Sequence, residues 1–226
     1  VERQSVRKGA STWHTNVVHT ALGRLTNKVR IDDHMHTCWA VEPYLKSDED
    51  IKRFISVPYS PLPIEPEFEV VRRQLGDKGV MMVGLPDPIC HVAELFDYQD
   101  FLVRAFRDKR SVEALLELVW ERLRERLLTM LGAGFGPVFR IYGAEYATPP
   151  MLPPEYFEEF VVKYDSEIID MIHRHGCYAR FHCHGPISKV LDAILSMEPD
   201  MIEPCEPPPE GDVILGQLCV LMRCVF

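Results

Sequence analysis

From Val138 to Cys205 the chain repeats one pattern of short apolar run, polar turn and helical stretch, and this repeat restricts its fold more than any other feature. Val138-Phe139-Arg140-Ile141-Tyr142-Gly143 reads as a strand. Pro154-Glu155 then opens a helix whose inward stripe is Phe157, Phe160, Val161, Tyr164, Ile168, Met171 and Ile172, with Gly176 in the position expected of a C-cap. A strand from Tyr178 to His184, a helix from Ile187 to Met197 and a strand from Asp200 to Cys205 follow. Such alternation requires parallel strands joined by right-handed crossovers, either in an open doubly wound sheet or in a closed barrel. Gly132-Ala133-Gly134-Phe135-Gly136 lies between a helix and a strand, the wrong order for a phosphate-cradling loop. The expected fold class is therefore α/β, a (β/α)8 TIM barrel.

Upstream the pattern is less regular. Gly79 to Leu85 reads as a buried strand bounded by glycines, with a helical stretch over Glu67–Leu75 before it and the loop Pro86-Asp87-Pro88 after it. Helical stretches over Val92–Phe96 and Tyr98–Phe106 lead to a long helix with a stripe of Val112, Leu115, Leu116, Val119, Leu123, Leu127 and Met130. Residues 1–66 read as an irregular N-terminal segment packing on the barrel portion, 67–226, with short strands near Thr26 to Ile31 and a helix from Ser47 to Phe54. Ser47 is the expected N-cap, because Asp48, Glu49 and Asp50 put negative charge on the first turn. The proline-rich run Val57 to Pro66 reads as a loop.

The 226 residues, 46% of them hydrophobic, are enough for one sizeable core. A formal charge of -9, spread along the chain, argues against nucleic acid as a partner and for a small-molecule substrate. The seven cysteines form no CxxC pair, and no apolar run approaches the ~20 residues needed to cross a bilayer. A cytoplasmic protein with no membrane contact is expected.

In folds of this class the functional groups collect at the carboxyl ends of the strands. Here those ends carry Glu145 and Tyr146, then His182 and His184, then Glu203, Cys205 and Glu206. On a strand, residues two apart share a face, so His182 and His184 can converge on one ion while Cys183 packs outward. Zinc suits imidazole, and a catalytic zinc takes three protein ligands, so a third is needed from Cys205 or Glu145. The alternative is that both rings bond to backbone carbonyls or a carboxylate. A second pair, His34 and His36, is either a ligand pair or a surface turn, and His173 and His175 fit capping of a helix end. Cys219 and Cys224 read as buried strand residues, and Arg140 as either an anion anchor or half of a core salt bridge.

The segment Gly143 to Asp212 resembles the uroporphyrinogen decarboxylase superfamily. The resemblance rests on Gly143-Ala144-Glu145-Tyr146, Pro153-Pro154-Glu155-Tyr156-Phe157, His175-Gly176, Phe181-His182-Cys183-His184-Gly185 and Glu203-Pro204-Cys205-Glu206-Pro207 before Gly211-Asp212. Leu45-Lys46-Ser47-Asp48-Glu49-Asp50-Ile51 resembles an upstream helix of the same proteins. The decarboxylase branch carries an arginine-rich N-terminal motif for a porphyrinogen and uses no metal, and that motif is not found here. The cobalamin-linked methyltransferase branch has a zinc-binding His-x-Cys where this chain has His182-Cys183-His184. The resemblance thus implies a zinc-dependent methyltransferase. His182, His184 and Glu145 would be catalytic, with Cys205 as the further metal ligand. Tyr146, Arg140, Glu203 and Glu206 would shape the substrate pocket, and a corrinoid protein or a small methyl donor would be the partner. Histidine in the cysteine position would make the zinc more Lewis acidic. The alternatives are a metal-free decarboxylase of a porphyrinogen-like polyacid and a non-catalytic ligand-binding relative. A complete barrel needs about 250 residues, so the barrel is expected to be incomplete and a homodimer to cover its open edges.

Overall fold

The computed structural model describes residues 1–35, 37–60 and 67–214, so His36, the proline run beyond Ser60, Cys219 and Cys224 lie outside the described residues. These residues group into two compact units, 1–60 with 92–115 and 67–91 with 116–214.

In the first unit the segment expected to be irregular is an antiparallel sheet. Strands β1 (Glu2–Lys8), β2 (Ser11–Thr20), β3 (Gly23–Asp32) and β4 (Cys38–Glu42) pair in chain order. Apolar alternation does not show it, because β1 is exposed throughout and the buried residues of β2 and β3 are only Asn16 and Leu25. Polar cross-strand pairs hold it instead. Arg3 Nε donates to Asn16 Oδ1 at 2.7 Å, and Asn16 Nδ2 donates to Asn27 Oδ1 at 2.8 Å. The Arg30 guanidinium lies 5.9 Å from the Trp13 ring and 5.7 Å from the Trp39 ring, within cation–π range. His34 is exposed in the turn after β3.

Helix α1 (Asp48–Ile55) begins as expected, with Ser47 Oγ accepting from Asp50 N at 3.2 Å. The order then continues with α2 (Glu67–Leu75), β5 (Met82–Pro86), α3 (Pro88–Ala93), α4 (Tyr98–Arg107) and α5 (Lys109–Gly132). Arg104 of α4 pairs with Asp48 of α1 at 2.6 Å, over a core of Leu45, Phe96, Phe101 and Ala105. All seven residues of the α5 stripe are buried.

The second unit contains β6 (Val138–Tyr142), α6 (Pro154–Phe157), α7 (Lys163–Arg174), β7 (Tyr178–His182), α8 (Leu191–Ser196) and β8 (Met201–Glu203). A π turn over Glu158–Val162 joins α6 to α7. All four strands are parallel and stand in the order β5-β6-β7-β8. A doubly wound sheet reverses its strand order at the switch point. This sheet has no reversal, so same-handed crossovers put the connecting helices α7 and α8 on one face, as in a barrel. That face carries Phe139, Ile141, Ala179, Phe181 and Cys183, all fully buried. On the concave face the register makes two rows, Gly84, Arg140, Arg180 and Met201 below, then Pro86, Tyr142, His182 and Glu203 at the strand ends.

Three elements are shorter than expected. β5 begins at Met82, which is exposed, because within the described sheet it pairs with β6 alone. α8 begins at Leu191, since Ser188 N is held by Asp212 Oδ1 at 2.9 Å. β8 ends at Glu203, where Pro204 has no N–H to offer.

Candidate active site at the strand ends

β7 places His182 and His184 on the concave side and turns Cys183 into the helix layer. A carboxylate holds each imidazole: His182 Nδ1 donates to Glu203 Oε1 at 2.9 Å, and His184 Nδ1 donates to Glu206 Oε1 at 3.2 Å. A carboxylate only accepts, so each Nδ1 carries a proton, and in a neutral His182 ring Nε2 keeps its lone pair. The two rings stand edge-on, 4.5 Å apart between centroids. Gly185 N donates to Glu206 Oε2 at 2.7 Å, and Arg140 Nε donates to Glu203 Oε1 at the same distance. Arg180 Nη2 lies 3.4 Å from Glu203 Oε2.

The electrostatics follow from these contacts. Burial lowers the His182 pKa, and the attraction of Glu203 only partly offsets it, with Arg140 and His184 pushing the same way as burial. Burial raises Glu203, but hydrogen bonds and charge from Arg140 and His182 outweigh it and hold the carboxyl below its usual range. The Gly185 N–H does the same for Glu206, helped by His184. At neutral pH the site therefore holds a neutral His182 and two carboxylates. Arg140, left open in sequence as anchor or salt bridge, does make the salt bridge.

The model of the family Uroporphyrinogen decarboxylase (URO-D) matches residues 32–206, which include both histidines and both glutamates. The chain belongs to the uroporphyrinogen decarboxylase family. A methyltransferase from Methanosarcina mazei shares the fold with a TM-score of 0.57 at 12% identity, over 77% of this chain and 51% of that one. The chain thus spans about half the length of that structure. A search of the curated proteins finds no match. The fold is the family's TIM-barrel type, with four of its eight strands among the described residues. The family match starts at the last residue of β3, so nearly all of β1 to β3 lies before it.

The zinc expected of this family member's site meets a mixed donor set. Nδ1 bonds to carboxylates are how metal-binding imidazoles are oriented, which suits His182 and His184. A third ligand does not join them: among the described residues no group of three His, Cys, Asp or Glu is placed to hold a metal ion. Cys205 Sγ instead contacts Ile202 O at 3.8 Å, and burial, then Glu203, push its thiol pKa up. Glu145, in the turn Ala144–Ala147 after β6, is turned toward Asp87 and Cys183, with one oxygen buried and unpartnered. Among the described residues His182 and His184 thus stand without the third ligand that was expected from Cys205 or Glu145. Tyr146, half-buried, occupies the same turn.

A cluster not expected from the sequence lies behind the sheet. Asp87 and Asp165 are both fully buried, and Asp87 Oδ2 and both Asp165 oxygens lack a donor. Burial, then the neighbouring Asp165, push the Asp87 pKa well up, and burial does the same for Asp165. Burial thus favours the neutral form of both carboxyls in the folded protein. Cys183 beside them is held as a neutral thiol by burial, then by Glu145 and Asp87. Gly143 lets the chain pass: a Cβ there would meet Cys90 Cβ at 2.2 Å and Asp87 Oδ1 at 2.6 Å, at a φ of +122°. A sequence signal for this cluster existed in Asp165, a carboxylate within the apolar stripe of α7. His173 and His175 behave as helix-end residues, pairing with Asp200 at 2.9 Å and the Met171 carbonyl at 2.8 Å.

Proposed function

We propose that the chain carries the strand-end site of a methyltransferase, with His182 and His184 preparing a thiol or hydroxyl acceptor for methylation. The observation that supports this is the pair of carboxylate-held imidazoles with Nε2 directed to no partner among the described residues. The neutral His182 is the base: its Nε2 takes the acceptor proton, the acceptor lone pair forms the new bond to the methyl carbon, and the donor keeps the electrons of the bond that breaks. Glu203 stabilises the imidazolium that forms, and Glu206 holds His184 beside it. Should a ligand from outside the described residues complete a zinc site on the two Nε2 atoms, the metal would supply Lewis acidity at the acceptor. The methyl donor in this reading is a corrinoid protein or a small methyl compound docking over the strand ends.

The test is methyl transfer from methylcobalamin to 2-mercaptoethanol, followed by the change in cobalamin absorbance, with zinc analysis of the same preparation. His182→Gln should slow transfer by about 100-fold. No transfer above background by the parent protein removes the reading. Zinc bound to the parent and lost in His182→Ala and His184→Ala would assign the metal to the pair, and no zinc in the parent leaves His182 as base alone. The porphyrinogen decarboxylase reading is weaker, because the many carboxylates of such a substrate need many cations and the two concave rows hold two arginines.

A further inference from the structure

The two imidazoles of the site are held by different means. His182 and Glu203 are register partners on β7 and β8, so the sheet itself brings them together. The pairing ends there, with Cys183 N donating to Glu203 O at 3.0 Å. His184 and Glu206 lie beyond it, outside any strand or helix, and His184 is more than half exposed. What fixes them is a pair of loops, 183–188 after β7 and 204–213 after β8, tied together twice. Glu206 makes the first tie, taking the Gly185 N–H at 2.7 Å on one oxygen and His184 Nδ1 at 3.2 Å on the other. Asp212 makes the second, accepting from Ser188 N at 2.9 Å with Oδ1 and from the Ser188 hydroxyl with Oδ2. Between the ties the 204–213 loop folds back on itself, with Val213 N donating to Glu206 O and Gly211 N to Pro207 O, both at 3.1 Å. That fold-back requires glycine at 211. A Cβ there would meet Glu206 O at 2.4 Å and Glu206 Cβ at 2.8 Å, and backbone atoms cannot yield as a flexible side-chain end can. Ile187 and Val213, both buried, anchor one residue of each loop.

We propose that Gly211 and Asp212 are positioning residues for His184: with Ser188 they clasp the two loops so that Glu206 faces the His184 ring and keeps it edge-on to His182. Glu206 is the link, because its backbone carbonyl belongs to the fold-back and its carboxylate to the histidine. The first tie alone joins groups open to water, where a single hydrogen bond contributes little net stability. The second tie, with the fold-back, supplies the constraint that keeps Glu206 in reach. A carboxylate-held Nδ1–H leaves a neutral ring only its Nε2 to offer an acceptor or a metal ion. The clasp therefore decides which nitrogen His184 presents. The use of that nitrogen rests on the proposed methyl-transfer site, and the clasp itself does not.

Nitrogen-15 NMR of histidine-labelled protein tests this without a methyl donor. Spectra are taken at about pH 8.5, above the usual imidazole range, with a chelator present, since a metal on Nε2 would itself keep the proton on Nδ1. His182→Gln and His184→Gln assign the two rings. In the parent protein both rings should show the Nδ1–H tautomer. In Asp212→Ala and in Gly211→Ala, His184 should become a mixture of the two tautomers, while His182, held by the sheet, keeps its pattern. Ser188→Thr, which retains both donors, should match the parent. Methyl transfer by Asp212→Ala should be about three- to tenfold slower, as for the loss of one hydrogen bond. A parent His184 already present as a mixture overturns the proposal, and this needs no variant to fold. An unchanged His184 in Asp212→Ala and Gly211→Ala also overturns it, as does an equal change at His182. A parent protein with the expected tautomers that transfers no methyl group would refute the methyltransferase reading and keep the clasp.

Discussion

The sheet of residues 2–42 and the sheet of residues 82–203 are both four-stranded, yet they are stabilised by different physics. In the parallel sheet one face is a continuous apolar layer, with Phe139, Ile141, Ala179 and Phe181 fully buried under the helices. In the antiparallel sheet side chains are mostly half-exposed, and order comes from hydrogen bonds and ion pairs between strands, as in the Arg3, Asn16 and Asn27 chain. A buried face tolerates polar atoms only where something needs them, so the charged groups on and behind the parallel sheet draw attention to themselves. On a polar sheet a charge carries no such message.

Substitutions should expose this contrast. The largest effect is expected from Phe181→Ala, a fully buried aromatic whose loss leaves a cavity and should cost about 3–5 kcal/mol in denaturant unfolding. The matching change in the other sheet, Val6→Ala at an exposed β1 position, should stay within about 0.5 kcal/mol. Similar losses for the two would mean the sheets are not built differently.

Next comes the buried carboxyl pair. Its folded pKa values lie above those of the unfolded chain. The native state binds the extra proton, so this contribution is fully present below about pH 4 and is lost as pH rises through the raised folded values. Asp165→Asn, which cannot ionise, should remove that slope and raise stability at neutral pH by about 1–2 kcal/mol. Unfolding curves between pH 4 and 8 check it, and an unchanged slope would rule out the raised folded values. A smaller effect than these, though above that of Val6→Ala, is expected from Asn16→Ala, which strips two cross-strand hydrogen bonds from the polar sheet and should cost about 1 kcal/mol. A loss as large as that of Phe181→Ala would show that polar pairing contributes as much as an apolar core.

The second half of the fold was legible from the residues because its burial is periodic. The helical stripe of α5, the Pro154 opening and Gly176 ending of α6 to α7, and the alternation at His182, Cys183 and His184 all reflect side chains that face either a core or a cavity. The antiparallel sheet was not legible, because Glu2–Lys8 and its neighbours bury almost nothing and so leave no period to read. Of the site, the histidine pair and the acidic tips could be read from strand spacing alone. Two things could not. Glu145 lies two residues after Gly143, and only the turn Ala144–Ala147 decides that it faces Asp87 and Cys183 instead of joining the histidines. Arg180 carries no motif, and only the register of β7 against β8 brings it to Glu203.

Sequence by itself thus determined what runs along one chain segment: the alternating elements, their inward stripes, the strand-end positions and the likeness to the uroporphyrinogen decarboxylase family. These are local, because helix and strand periods are written in neighbouring residues. Tertiary structure alone decided which distant groups meet: Glu203 with His182 and Arg140, Glu206 with His184, and Asp87 with Asp165. Those meetings depend on register and crossover geometry between segments tens of residues apart, and the charge of one partner is set by a neighbour that its own stretch of sequence does not contain.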